Sequence, residues 1–116
     1  MTREELKNRT KRFALRILKL ARSLPKNDES RIIGKQIIRS GTAVGANYRA
    51  ACRARSTSEF IAKLGIVVEE ADETVFWLEI IIESELMKRE LINPLLSEAN
   101  ELTAIFVSAV KTKKES

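Results

Sequence analysis

The sequence predicts an all-α chain folded as an antiparallel, up-down-up-down four-helix bundle, and three observations lead there. No segment shows the strict alternation of a half-buried strand, and four glycines and two prolines are too few for the frequent turns of an all-β fold. Apolar residues instead recur every three or four positions along four successive stretches. Each stretch is bounded by capping or breaking residues and the links are short, so neighbours in sequence become antiparallel neighbours in space. A chain of 116 residues suits one domain, residues 1–116, burying roughly two thirds of the surface its unfolded form exposes.

Helix one opens with Thr2 and Glu5 in capping-box spacing and places Leu6, Phe13, Ile17, Leu20, Ala21 and Leu24 on one face, until Pro25 stops it. Asn27 or Asp28 supplies the next N-cap. An apolar series from Ile33 to Ala51 then runs without proline, which carries helix two to about Arg53. Ser56 and Glu59 form a second capping box for helix three, whose core face is Phe60, Leu64, Val67, Val68, Ala71, Val75, Leu78 and Ile82, and which ends near Leu86. Asn93 and Pro94 read as N-cap and first residue of helix four, or as part of a first turn beginning slightly earlier. Leu95, Ala99, Leu102, Phe106, Ala109 and Val110 mark its apolar face, ahead of a frayed tail at residues 111–116.

Within helix two, Gly41 and Gly45 sit among small residues before a pair of arginines, which raises the possibility of a phosphate loop. A Walker-type loop requires lysine and then serine or threonine after the last glycine, whereas Ala46 and Asn47 follow Gly45; the pattern G-x-G-x-x-G is absent as well. At roughly 100° per residue, Gly34, Gly41, Gly45 and Cys52 share a narrow strip beside the apolar face of Ile33, Ile37, Val44, Tyr48 and Ala51. Such a strip admits a close neighbour, and that packing has to offset a loss of about 1 kcal/mol of helix propensity per glycine. Gln36, Ser40 and Asn47 flank the same face and are expected to hydrogen-bond across to helix three, to Glu70 or Thr74.

Charge is divided unevenly. Residues 6–55 hold 14 Lys and Arg against Asp28 and Glu29, while residues 56–116 hold 6 basic and 12 acidic residues, so the net charge of +5 understates the contrast. Arg31, Lys35, Arg39, Arg49 and Arg53 lie within roughly an 80° arc of helix two. Arg9, Arg12, Arg16 and Lys19 form a stripe on helix one, with Lys7, Lys11 and Arg22 on its other flank. Like charges at this spacing destabilise a helix unless an anion answers them, so these nine stripe residues are the candidate nucleic-acid contacts, against the plainer reading of a solvated face. With few aromatics among the arginines, binding of RNA or DNA would be largely independent of sequence.

Helix three carries a second apolar side: Ile66, Phe76, Trp77, Ile80 and Ile81. A bundle helix should be polar there, which makes Ile66, Trp77, Ile80 and Ile81 candidates for a self-association interface. Its carboxylates, among them Glu59, Glu69, Glu70, Asp72, Glu73, Glu79, Glu83 and Glu85, lack a nucleophile or metal-ligand spacing and read as solvated faces or as ion-pair partners for a neighbour's basic stripes. The absence of histidine removes the commonest general base and metal ligand, so no catalytic residue, metal or cofactor is expected. Cys52 has no partner for an internal disulfide and reads as a small buried hydrophobe rather than a reactive thiol. With no membrane span or leader pattern, a cytoplasmic location without membrane contact is expected.

Several of these residues carry a resemblance. Arg39, Ser40, Thr42, Val44, Ala46 and Asn47, then Ser56, Phe60, Ile61, Lys63 and Leu64, then Glu70, Ala71, Glu73, Thr74, Trp77 and Leu78 resemble the bacterial four-helix-bundle family, of S23 type, known from proteins encoded in intervening sequences of 23S ribosomal RNA genes. The resemblance is close over helices two and three and one of pattern over helices one and four. It implies a bundle that assembles as a homo-oligomeric ring, commonly a homopentamer, with no established catalytic residues. It also implies kinship to the basic accessory proteins of diversity-generating retroelements, a branch implicated in binding nucleic acid and a reverse transcriptase. Ala43, Ala50 and Glu69 depart from the residues usual there: serine, glutamate and lysine. The function expected is therefore a non-enzymatic oligomer that binds RNA or DNA through helices one and two; the alternative is a protein-interaction scaffold whose basic stripes serve assembly.

Overall fold

Three of the four helices begin on a side-chain cap that the sequence announces. The computed structural model describes residues 1–116 as α1 (Arg3–Ser23), α2 (Asp28–Cys52), α3 (Thr57–Glu83) and α4 (Arg89–Glu115). Thr2 Oγ1 accepts from the Glu5 amide at 3.0 Å, Asn27 Oδ1 from Ser30 at 2.8 Å, and Ser56 Oγ from Glu59 at 3.1 Å. Each satisfies an amide that would otherwise lack an intrahelical acceptor. Leu24 is extended ahead of Pro25 and ends α1.

The two ends of α4 and the end of α3 follow tertiary contacts. α4 starts at Arg89, with Lys88 as an N-cap that makes no side-chain bond, and Pro94 lies beyond its first turn. Pro94 has no N–H for the Glu90 carbonyl, but both residues are exposed, whereas Ile92 is fully buried. Burying Ile92 therefore draws the helix start ahead of Asn93. At its other end α4 stays helical to Glu115, where residues 111–116 were expected to fray; Lys113 lies 5.7 Å from the centre of the Phe60 ring and favours the negative end of the helix dipole. α3 closes on a Schellman turn, with Leu86 N–H bonding to Ile81 O and Glu85 N–H to Ile82 O, and Glu85 takes φ 61° without being glycine.

The helices form an up-down-up-down bundle with extents of 46 × 20 × 19 Å. α2 packs against α1 and α3, and α3 against α4; α1 meets α4 along a looser seam, and the diagonal pairs keep their backbones apart and meet only through side chains such as Tyr48 and Phe106. One core runs through all four, with Phe13, Ile17, Ile37, Leu64, Leu78, Ile92, Leu102 and Phe106 at its centre. Thr10, a polar residue among these apolar ones, is buried there and returns its hydroxyl to the Leu6 carbonyl at 2.8 Å.

Tyr48 packs on Phe106 with ring centres 5.2 Å apart. Burial, and next the neighbouring Cys52 side chain, push its phenol above the ordinary tyrosine value. Above a pH of about 10 the unfolded chain releases this proton while the folded chain keeps it, so stability falls as pH rises, by up to about 1.4 kcal/mol per pH unit. Because Tyr48 is the one tyrosine, its ionisation can be followed by ultraviolet difference absorbance beside denaturant titrations. Tyr48→Phe is expected to flatten the alkaline decline, and an unchanged decline refutes the assignment.

Candidate nucleic-acid interface

The glycine strip faces α1 in antiparallel register. A Cβ on Gly34 would sit 3.6 Å from Leu24 Cδ1, one on Gly41 2.8 Å from both Ile17 Cγ1 and Cγ2, and one on Gly45 3.1 Å from Thr10 Oγ1. Leu24, Ile17 and Thr10 recur every seventh residue, so one row of α1 side chains fits one row of glycines. That fit brings the two basic helices side by side.

Two of the residues that carry the family resemblance, Arg39 and Ser40, lie on the opposite side of α2 and clamp it to Glu70, Glu73 and Thr74 of α3. Arg39 donates to Glu70 at 2.9 and 3.2 Å and also to Glu73, and Trp77 Nε1 donates to Glu73 at 3.3 Å. Beneath them Ser40 Oγ and Thr74 Oγ1 share a buried hydrogen bond of 2.9 Å, the cross-helix contact expected of Ser40. Asn47 instead turns back to the Ala43 carbonyl within α2. Glu70, then Glu73, raises the Arg39 guanidinium above its usual value by favouring the charged form. The charge of Arg39 is thus answered within the chain.

Arg9 is engaged as well. Its guanidinium forks onto Glu98 of α4 at 2.8 and 2.6 Å, with Glu101 at 3.4 Å, across the α1–α4 seam. Hydrogen bonding to Glu98 raises its pKa, partly opposed by burial. Arg16 and Lys19 line the same seam beside Met87, Leu91 and Pro94, and Arg12 is exposed. The two predicted stripes therefore do not form one surface.

Cations do converge elsewhere, along the α1–α2 groove. At one end Arg22 and Lys26 meet Arg31 and Lys35 around a cavity of about 570 Å³ floored by Leu18, Ala21, Leu24 and Ile38. At the other end Lys7 and Lys11 meet Arg49 and Arg53 around a recess of about 200 Å³. Only Arg31 of these eight is ion-paired, with the exposed Asp28 at 2.8 Å. Lys7, Lys11, Arg22 and Lys26 were not among the expected contacts, because the longer α1 stripe lies on the other flank. The glycine strip marks the side of α2 that takes a close neighbour, but only the packed bundle shows which flank of α1 arrives there.

The outer side of α3 is also reordered. Ile66 and Phe76 are exposed at 42% and 51%, and Trp77 and Ile80 are half-buried. Ile81 is fully buried, which corrects its assignment to an outer interface: α3 packs on both α2 and α4, and the two contacts widen its core arc to include position 81. Cys52 is half-buried against the core.

No three acidic or thiol side chains converge in this fold, no helix is long and apolar enough to cross a membrane, and the long-range polar contacts hold helices together. By architecture this is an antiparallel four-helix-bundle protein with a cation-lined groove between its first two helices. The family model of the 23S rRNA-intervening sequence protein matches residues 3–108, and the chain belongs to that family. It is similar to a crystal structure described as a protein with unknown function from the S23 ribosomal protein family of Bacteroides thetaiotaomicron VPI-5482. The identity is 37% over 96% of this chain and 99% of that one, with a TM-score of 0.88. The comparison with curated proteins finds no match.

Proposed function

We propose that this protein is a non-enzymatic, self-associating bundle that binds RNA or DNA by phosphate contacts along the α1–α2 groove. The observation that carries this reading is the groove itself, where cations from two helices line both ends and only Arg31 has a carboxylate partner. From Lys35 to Arg49 along α2 is roughly 21 Å at 1.5 Å per residue, so a strand laid in the groove would meet both clusters within several nucleotides. Lys and Arg contacts of this kind release counterions, and affinity should then fall steeply with salt.

The test is fluorescence anisotropy with mixed-sequence RNA and DNA across a salt series. Six or more phosphate contacts predict roughly a thousandfold weakening between 50 and 200 mM salt. Arg22→Glu with Lys35→Glu, and separately Lys11→Glu with Arg49→Glu, should each weaken binding and lower the salt slope by about two. Arg39→Gln should change it little. Salt-independent binding, or full binding after both reversals, refutes the reading. If the reversals instead split the oligomer and no nucleic acid binds the parent protein, the groove is a protein contact.

Self-association rests on the exposed apolar residues of α3, and the family resemblance makes a five-membered ring the expected assembly. Trp77 is a poor probe because its indole is tied to Glu73. Ile66→Lys with Phe76→Glu changes only exposed positions and is expected to reduce the mass in multi-angle light scattering to that of a monomer, 13.1 kDa. An unchanged mass removes the α3 face as the interface.

A further inference from the structure

The two ends of the groove are built differently, and we infer that the Lys7–Arg53 end is a discrete site for a densely charged phosphate group, a phosphomonoester terminus or a pyrophosphate. This inference rests on the phosphate reading of the groove and narrows it to one place and one ligand chemistry.

The recess is lined by Glu4, Lys7, Asn8, Lys11, Arg49 and Arg53, with no apolar side chain, whereas the other end is wider and floored by leucines and an isoleucine. Lys7 and Lys11 stand one turn apart on α1, Arg49 lies in the last turn of α2 with Arg53 as its C-cap, and the two pairs face one another. None of the four has a carboxylate within ion-pairing distance, although Glu4 lines the same recess. Each i,i+4 pair repels itself and the pairs repel each other, so the four cations are unfavourable on their own and a multiply charged anion relieves their repulsion.

Charge density distinguishes the possible ligands. A phosphodiester inside a strand carries one negative charge, spread over two free oxygens. A phosphomonoester carries about −1.5 to −2 at neutral pH and offers three acceptor oxygens. Two guanidinium forks, two ammonium groups and the Asn8 amide supply more donors than one phosphodiester can use, and their arrangement around a recess lets them reach one group from several sides. Glu4 is the one lining residue that opposes the anion, so removing its charge should strengthen binding.

The experiment compares 3′-labelled ten-nucleotide RNAs carrying a 5′-phosphate or a 5′-hydroxyl, by anisotropy, with inorganic pyrophosphate titrated by calorimetry. The full-length protein is expected to prefer the 5′-phosphate by about tenfold and to bind pyrophosphate. Lys11→Gln with Arg49→Gln should abolish both effects. Arg22→Gln with Lys35→Gln, at the other end, should weaken both RNAs equally and keep the preference. Glu4→Gln should enlarge it; circular dichroism checks that each variant is folded. Equal affinity for the two RNAs together with no pyrophosphate binding overturns the inference while leaving nucleic-acid binding intact. Pyrophosphate binding or a 5′-phosphate preference that survives Lys11→Gln with Arg49→Gln overturns it too. Pyrophosphate binding that depends on Lys11 and Arg49, with neither RNA bound, supports the site and refutes the nucleic-acid reading.

Discussion

Gly41→Ala is expected to destabilise the protein by up to about 2 kcal/mol, although it puts the best helix former in place of a poor one within a helix. Two terms oppose each other. Alanine gains about 1 kcal/mol of helix propensity, and overpacking a tight core costs about 1–3 kcal/mol. The added methyl would lie 2.8 Å from Ile17 Cγ1 and Cγ2 and 3.1 Å from its Cβ. These are the branched, inner atoms of a fully buried side chain, with no flexible end that can swing aside. The clash therefore wins. Gly65→Ala is the control, because a Cβ there meets nothing within 4 Å, and it should stabilise by about 0.5–1 kcal/mol. Urea unfolding of Gly41→Ala, Ile17→Ala, which removes both Cγ atoms, and the double variant should show that the double loses less than the sum of the singles. Full additivity would mean that Gly41 and Ile17 are not in limiting contact.

Breaking the Arg9–Glu98 fork is expected to cost about 2 kcal/mol, the scale of charge-assisted hydrogen bonds in a partly buried setting. Their side chains are only 18% and 16% exposed, so water screens the pair poorly. It also bridges α1 and α4, the pair of neighbours with least direct packing, where little else would replace it. In a double-mutant cycle of Arg9→Ala and Glu98→Ala, the coupling energy should be about 1.5–2 kcal/mol by urea unfolding. The Arg31–Asp28 pair, 64% and 88% exposed, should couple by less than about 0.5 kcal/mol. Equal couplings would show that burial does not decide the strength of these pairs.

Much of the fold was legible because its signals are local. The caps at Thr2, Asn27 and Ser56 and the stop at Pro25 act on their own helices, and the apolar periods of α1 and α2 reappear as buried faces. The misplaced boundaries lie where tertiary burial competes with local preference. Ile92 draws α4 past the proline signal, and Glu85 takes a left-handed turn without glycine because Leu86 is packed onto the core. The candidate site was less legible. A helical wheel counted Arg9 and Arg39 with the free cations, yet their partners, Glu98 and Glu70 with Glu73, lie far along the chain on other helices. It likewise set Lys7 and Lys11 apart from Arg49 and Arg53, which the bundle brings together.

The sequence by itself determined the helical class, the number and order of the helices, the close-packing strip on α2, the family and the division of charge. Each is written in spacing along one segment or in composition, and an α-helix converts spacing into a face without reference to the rest of the chain. Only the tertiary structure decided that α1 presents its Lys7, Lys11 and Arg22 flank to α2, which arginines are neutralised, and that Ile81 belongs inside. The physical reason is that a charge is free or spent, and an apolar side chain exposed or buried, according to what stands opposite it. That neighbour is supplied by packing, where Gly41 and Ile17 select the one close approach that sets the rotation of α1 against α2.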